Sequence, residues 1–261
     1  MSTARRLWPL AGGTMPCHRS NVHLGEPSGP LILPLPAFLI EHDRGLVLFD
    51  TGIRPDAHDR STREAYGDAL AENLPVQCPP EHRLDRQIAK AGFDVGDVTH
   101  VVVSHAHFDH TGGLYLFPQA DLYMQLDELQ NAFWPAIPHW DSVFGREDLE
   151  RVRGFRWHPL SYDLDLFGDG SVQILRTPGH TPGHQSLLVK LGSRSFMLTG
   201  DAGHTLTNFQ GVPCPADFDS SEAARSIGRI TDMAAAHDAL IWVGHDPGQW
   251  EELGLVTEPF A

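Results

Sequence analysis

The stretch Ser104–Gly113 reads SHAHFDHTGG and places His105, His107, Asp109 and His110 within six positions. Into it runs HVVVS, His100–Ser104, whose short, apolar and β-branched character reads as a buried strand. Successive side chains of extended chain point to opposite faces, so His105 and His107 share a side. Past Phe108 the chain must turn to bring Asp109 and His110 round. Thr111, Gly112 and Gly113 suit that turn and the entry to a helix. Imidazole and carboxylate at this density suggest ligands for a divalent metal, which takes donors at about 2 Å and, for catalysis, keeps a position open for water.

The same arrangement recurs along the chain. Asp50 ends LVLF (Leu46–Phe49) in DTG, and His180 stands just past SVQIL (Ser171–Leu175) in TPGHTPGH. Asp201 stands just past SFMLT (Ser195–Thr199) in TGDAGH, and His245 just past ALIWV (Ala239–Val243) in VGHD. Each time an apolar strand leads into a turn carrying His or Asp. Strand ends on one edge of a sheet converge, and α/β folds build their sites there. His105, His107, His110, His180 and His245 with Asp109 and Asp201 are too many donors for one tetrahedral ion. They suit two ions: His105, His107 and His180 on one, Asp109, His110 and His245 on the other, and Asp201 between. Two such ions trap a hydroxide and polarise a carbonyl. Asp50 is expected to accept an N–H from a ligand histidine rather than only to cap its own turn. Most of the chain's 16 histidines need no special role, and His184 is expected simply to flank its glycine turn.

Around these motifs the chain reads as alternating strands and helices. PAFLI (Pro36–Ile40) and SLLVKL (Ser186–Leu191) are further strands. Leu84, Ile88 and Ala91 recur with helical spacing. Asp219 followed by Glu222 resembles a capping box, opening a helix with an apolar face of Ala223, Ile227, Ile230 and Ala234. Asp127 is expected to cap a helix running to Phe133 and stopped by Pro135. The region from Pro135 to Gly170 reads as a long irregular insert or loop. An α/β layered domain follows. With 261 residues, 41% of them hydrophobic, and no linker or short repeat, one metallo-hydrolase domain spanning 1–261 is expected.

The formal charge of −15 argues against a nucleic-acid partner, which normally meets a basic footprint. Cys17, Cys78 and Cys214 are odd in number and widely spaced, as free thiols of a reducing, cytoplasmic setting would be. LWPLAGG (Leu7–Gly13) is too short and broken for a signal segment, and no apolar run reaches membrane-spanning length, so no membrane role is expected.

In this order, FDTG at Asp50, SHAHFDH, TPGHTPGH, TGD at Asp201 and VGHD at His245 resemble the metallo-β-lactamase superfamily over most of the chain. The resemblance implies an αβ/βα four-layer sandwich, two mixed sheets face to face with helices outside. It also implies a dinuclear centre, commonly zinc. Iron, manganese or cobalt occur in relatives, and an N/O donor set alone does not choose among them. LWPLAGG, PLPAFLIEHDRGLVLFDTG, SHAHFDHTGG with its Phe108, and TPGHTPGHQSL resemble the quorum-quenching N-acyl homoserine lactonases. That narrower resemblance implies a hydrolase that opens lactone rings with the bridging hydroxide of two divalent ions. The alternatives are another lactonase or esterase, or a glyoxalase II-type thioesterase, on the same site. It also implies a small lactone or ester as partner, and it admits a homodimer.

One position departs from that pattern. Many of these lactonases carry a tyrosine three residues after the bridging aspartate, and here His204 stands there. His204 is expected, with Asp109, to act in catalysis by donating an N–H to the carbonyl or a proton to the leaving alkoxide. Metal binding, or a turn histidine without a role, are the other readings. Phe108, Phe133, Trp134 and Trp140 are expected to wall an acyl pocket, against the alternative of ordinary packing.

Overall fold

The computed structural model describes residues 3–135, 143–254 and 258–261. Its layers are set by alternation within strands. In Gly45–Phe49, Leu46 and Leu48 face one way while Val47 and Phe49 face the other, and all four are buried. A strand buried on both faces needs a layer on each side.

Among the described residues one sheet has the order β1 (Ala4–His18), β2 (Pro30–His42), β3 (Gly45–Phe49), β4 (Val98–Val102), β5 (Asp121–Gln125) and β6 (Arg156–Leu160). Its β1–β2 and β2–β3 pairs are antiparallel and the remaining pairs parallel. The second sheet contains β7 (Leu164–Asp165), β8 (Val172–Arg176), β9 (Gln185–Lys190), β10 (Ser195–Leu198) and β11 (Ala239–Trp242) in spatial sequence. It is antiparallel except for β10–β11. Between the sheets, Phe38, Val47, Phe49 and Val102 pack on Ile174, Leu187, Phe196 and Trp242. Each such side chain contributes about 1.5–3 kcal/mol by leaving water. On the outer face of the first sheet, Leu39, Leu48 and Val101 cluster with Leu84 and Ile88 of the helix Leu84–Lys90. On the outer face of the second, Leu188 and Met197 cluster with Ile230 and Ala234 of the helix Ser220–Ala236. The architecture is therefore the four-layer sandwich of two mixed sheets with helices outside.

The helix Ser220–Ala236 begins where its sequence signal lies: the Asp219 carboxylate accepts from the Ser221 and Glu222 amides, both at 2.9 Å. On its buried face Ser226 takes a place beside Ala223, Ile230 and Ala234, while Ile227 is half-buried. The helix before Pro135 starts at Leu126, so Asp127 lies in its first turn and Gln125 precedes it. The span read as an irregular insert is partly regular, holding the helix Arg146–Arg151 and strands β6 and β7. Its Trp157 and Phe155 pack against the core without a clean alternation, which hid β6. No helix among the described residues is long and apolar enough to cross a membrane.

One contact ties this frame to the site. The Ser226 hydroxyl donates to the Pro178 carbonyl at 2.6 Å, and the Asp219 amide to the Gly179 carbonyl at 2.9 Å. The long helix thus lies directly on the turn that presents His180. Gly179 has φ +138°, and a Cβ there would stand 2.3 Å from the Ala223 nitrogen. Gly179→Ala is expected to cost about 2 kcal/mol or more, through backbone strain and this clash. A urea midpoint equal to that of the parent protein would contradict this packing.

Candidate metal centre and substrate cavity

Strand direction brings the candidate ligands together. β3 and β4 are parallel, β10 and β11 are parallel, and β8 runs with β10 because both are antiparallel to β9. The turns after these five strands carry Asp50, His105, His180, Asp201 and His245. Across the site the two sheets are joined by the Gln185 amide, which donates to the Ser104 carbonyl at 2.9 Å, and by its side chain, which donates to the Val103 carbonyl at 2.8 Å. After His107 the chain does turn, into the short helix Phe108–Thr111, which carries Asp109 and His110.

Asp201 is the common neighbour. Its Oδ1 lies 3.1 Å from His245 Nε2 and 3.6 Å from His110 Nε2. Its Oδ2 lies 3.6 Å from His180 Nε2, 3.9 Å from His105 Nε2 and 3.4 Å from His204 Nε2. His107 Nδ1 is 3.2 Å from His180 Nε2, and Asp109 Oδ2 is 3.6 Å from His110 Nε2 and 3.7 Å from His245 Nε2. Donor atoms of His105, His107 and His180 lie within 4.8 Å of one another, as do those of Asp109, His110 and His245. So do those of His105, His110 and Asp201, which link the two groups, and those of His180, Asp201 and His204.

Neighbouring groups hold these side chains and set their tautomers. The Asp50 carboxylate accepts from His110 Nδ1 at 2.8 Å and from the Ser104 amide at 2.6 Å. Asp50 adopts φ +62°, a left-handed conformation that Asp tolerates better than most side chains. His245 Nδ1 donates to the Pro34 carbonyl at 2.7 Å. With Nδ1 engaged on the far side, Nε2 of both rings is turned toward Asp201. His105 Nδ1 is 3.0 Å from the Ser104 hydroxyl, and His180 Nδ1 is 3.5 Å from Asp217 Oδ1.

Three further residues help to build the centre. Glu128 is fully buried; its carboxylate accepts from the Ala106 amide at 2.9 Å and the Gly183 amide at 3.0 Å, clamping the two ligand turns together. Burial raises its pKa, against the hydrogen bonds from Thr181, Ala106 and Gly183. Asp217 backs His180. His184 does more than flank a turn. Its Nδ1 bonds the Thr177 carbonyl at 3.0 Å and its Nε2 accepts the Asp201 amide at 2.9 Å. Burial, chiefly, holds His184 uncharged with a pKa down at about 3.

The electrostatics suit divalent cations. Burial drives His105 and His107 well below the usual histidine range, leaving neutral imidazoles. Burial opposes charge on His110 too, but Asp109, Asp50 and Asp201 outweigh it and raise its pKa well above normal. His245 is raised in the same way, by Asp201 and Asp109 against burial. Asp201 is held well below the carboxylate range: burial works against its charge, and His245, His110 and His204 overcome it. A cation at this place would displace those protons and meet donors already bare. His105 Nε2, His107 Nε2, His110 Nε2 and Asp201 Oδ1 are buried without a hydrogen-bond partner. Such atoms are costly unless a ligand satisfies them, so the residues fit divalent metal ions.

An open cavity of about 280 Å³ reaches this cluster, with His107, Asp109, His180, Asp201, His204 and His245 at its floor. Its walls include Met15, Val22, Leu33, Leu74, Phe108 and Val143. Of the aromatic residues expected there, Phe108 is in place. Phe133 instead packs on the outer core under the Arg146 guanidinium. Trp134 follows the helix end and is 80% exposed beside a separate surface depression. Trp140 lies outside the described residues. Met15, Val22 and Leu33 come from β1, β2 and their connection, whose pairing is not visible in local sequence, while Leu74 follows the helix Asp68–Asn73 and Val143 precedes the helix Arg146–Arg151.

A model of the metallo-beta-lactamase superfamily matches residues 33–245. The N-acyl homoserine lactonase AttM of Rhizobium radiobacter is 35% identical over 267 residues, covering 98% of each chain. The N-acyl homoserine lactonase AiiA of Bacillus thuringiensis subsp. kurstaki is 29% identical over 265 residues, covering 98% of this chain and 99% of the other. The crystal structure of a B. thuringiensis AiiA variant with N-decanoyl-L-homoserine bound at its active site superposes with a TM-score of 0.86. It is 27% identical and covers 99% of this chain and 100% of that one. The family match over residues 33–245 and the 35% identity over nearly the whole length place the chain: it belongs to the metallo-beta-lactamase superfamily, within the group that includes the N-acyl homoserine lactonases.

Proposed function

We propose that this protein is a dinuclear metal-dependent hydrolase that opens N-acyl homoserine lactone rings. One observation carries the reading. A buried cluster of imidazole nitrogens around Asp201, several without a hydrogen-bond partner, forms the floor of a cavity whose walls are mainly apolar. A polar reacting centre below an apolar sleeve suits a ring ester bearing an acyl chain. The names of the relatives point to the same substrate.

His105, His107 and His180 would hold one ion, Asp109, His110 and His245 the other, and Asp201 both. Neutral imidazoles and carboxylates suit zinc, with iron, manganese and cobalt within the range of such donors. When bound, the ions supply a hydroxide at neutral pH and draw charge from a carbonyl oxygen. The remaining work falls to the chain. Asp109, at the cavity floor, is placed to take the proton released as a C–O bond forms at the carbonyl carbon. As the ring C–O bond breaks, it returns that proton to the departing alkoxide, giving a hydroxy acid. Phe108 and the aliphatic walls hold the acyl chain and limit water around the reacting atoms. Asp50, Glu128, His184 and Asp217 keep the donors oriented. The whole of 1–261 is read as one domain. Its three unpaired cysteines suit a reducing cytoplasmic setting.

His107→Ala and Asp201→Ala are each expected to abolish lactone hydrolysis while retaining most of the fold; activity surviving both would contradict the metal mechanism. Asp50→Asn keeps a residue that tolerates its backbone conformation but removes the charge behind His110. Metal affinity measured by chelator competition should fall about 10–100-fold, and an unchanged affinity would remove Asp50 from the centre's support. Side-by-side rates on acyl homoserine lactones, aryl esters, S-lactoylglutathione and phosphodiesters test the substrate class. Lactones should be fastest, and a faster thioester would overturn the lactonase reading in favour of a thioesterase.

A further inference from the structure

His204 belongs to the cluster at the cavity floor, yet neither of the two ligand groups above uses it. It is 6% exposed, with its ring centroid 4.8 Å from that of His180 and 5.7 Å from that of His245. Its Nε2 stands 3.4 Å from Asp201 Oδ2, the oxygen that His180 Nε2 approaches at 3.6 Å. Two donors each about 2.0–2.2 Å from one zinc ion, at a tetrahedral angle, are about 3.3–3.6 Å apart. The spacings are those of donors sharing an ion.

The other face of the ring sets its tautomer. His204 Nδ1 is 3.4 Å from the Cys214 sulfur, and that sulfur is 3.9 Å from the Asn21 carbonyl oxygen. Cys214 is buried and, as a thiol, has one hydrogen to donate. Where the S–H donates to the Asn21 oxygen, the sulfur is left to accept from His204 Nδ1–H. Nε2 then carries a lone pair aimed at a carboxylate oxygen. Two electron-rich atoms face each other favourably only with a cation between them. His110 and His245 are arranged alike, with Nδ1–H on an acceptor and Nε2 turned toward Asp201.

We propose that His204 is itself a metal ligand, its Nε2 joining His180 and Asp201 on one ion, with the Cys214 thiol fixing its orientation. Cys214 acts through His204 and is a positioning residue. The proposal rests on the metal-hydrolase reading and adds a protein donor to it.

Cobalt(II), added to metal-stripped protein, provides a readout independent of turnover. Wild-type, His204→Gln, His204→Ala and Cys214→Ala proteins are compared by visible absorption and by chelator competition, with far-UV circular dichroism reporting the fold. Removing His204 should weaken one cobalt ion by more than about 100-fold and shift its absorption bands. Cys214→Ala should shift the same bands with a loss of about tenfold, as orienting partners do. Folded His204 variants with wild-type affinity and spectrum would overturn the proposal, even if hydrolysis were lost. Should those variants not fold, an unchanged spectrum and affinity in Cys214→Ala overturns it. Wild-type protein that takes up less than about one cobalt ion per chain would instead overturn the metal-hydrolase reading itself.

Discussion

The structure depends on burying a ring of imidazoles around one carboxylate. Asp201 has five histidine nitrogens within 3.9 Å, and several of the donor atoms have no hydrogen-bond partner. Each buried, unpaired polar atom costs roughly 1–3 kcal/mol. Packing alone gives no reason to gather so many. Divalent cations do, because every bare lone pair then becomes a ligand bond. The sheet frame is built to hold that arrangement: β3 and β4 of one sheet and β8, β10 and β11 of the other, parallel within each sheet, deliver their terminal turns to the site.

A cluster under mutual repulsion must also be held from outside. Asp50 does this from a left-handed backbone conformation, gripping both His110 and the Ser104 amide. Glu128 joins the turn of His105 and His107 to the turn of His180. His184, kept neutral, accepts the Asp201 amide and so sets where the central carboxylate stands. None of these three residues lines the cavity. They give the donors fixed directions, which is what lets a metal site select geometry and keep room for a reacting water. The aliphatic cavity above them turns a general hydrolytic centre into one suited to an acylated ring.

The centre was legible in sequence because its chemistry is local. The spacing His105, His107, Asp109, His110 and the recurrence of His or Asp after apolar strands are visible without coordinates. So was the role of Asp50, since a carboxylate beside a ligand turn has few other uses. Glu128, Asp217 and Cys214 were not legible: each lies in an unremarkable stretch and acts on a residue brought near only by folding. His184 was underrated because a histidine beside a glycine turn looks the same with or without a partner. Strands β1, β5, β6 and β7 were missed, as prolines, glycines and charged residues break their alternation. Phe133 and Trp134 were misplaced because aromatic content does not reveal which way a helix end faces.

The centre is tested most directly by stepwise zinc addition to metal-stripped protein, recording bound metal and the opening of an N-acyl homoserine lactone at each step. A dinuclear lactonase has negligible turnover without metal, and its rate climbs until about two ions per chain are bound. Lactone opening at full rate by the metal-free protein, or no opening once both ions are bound, would contradict it.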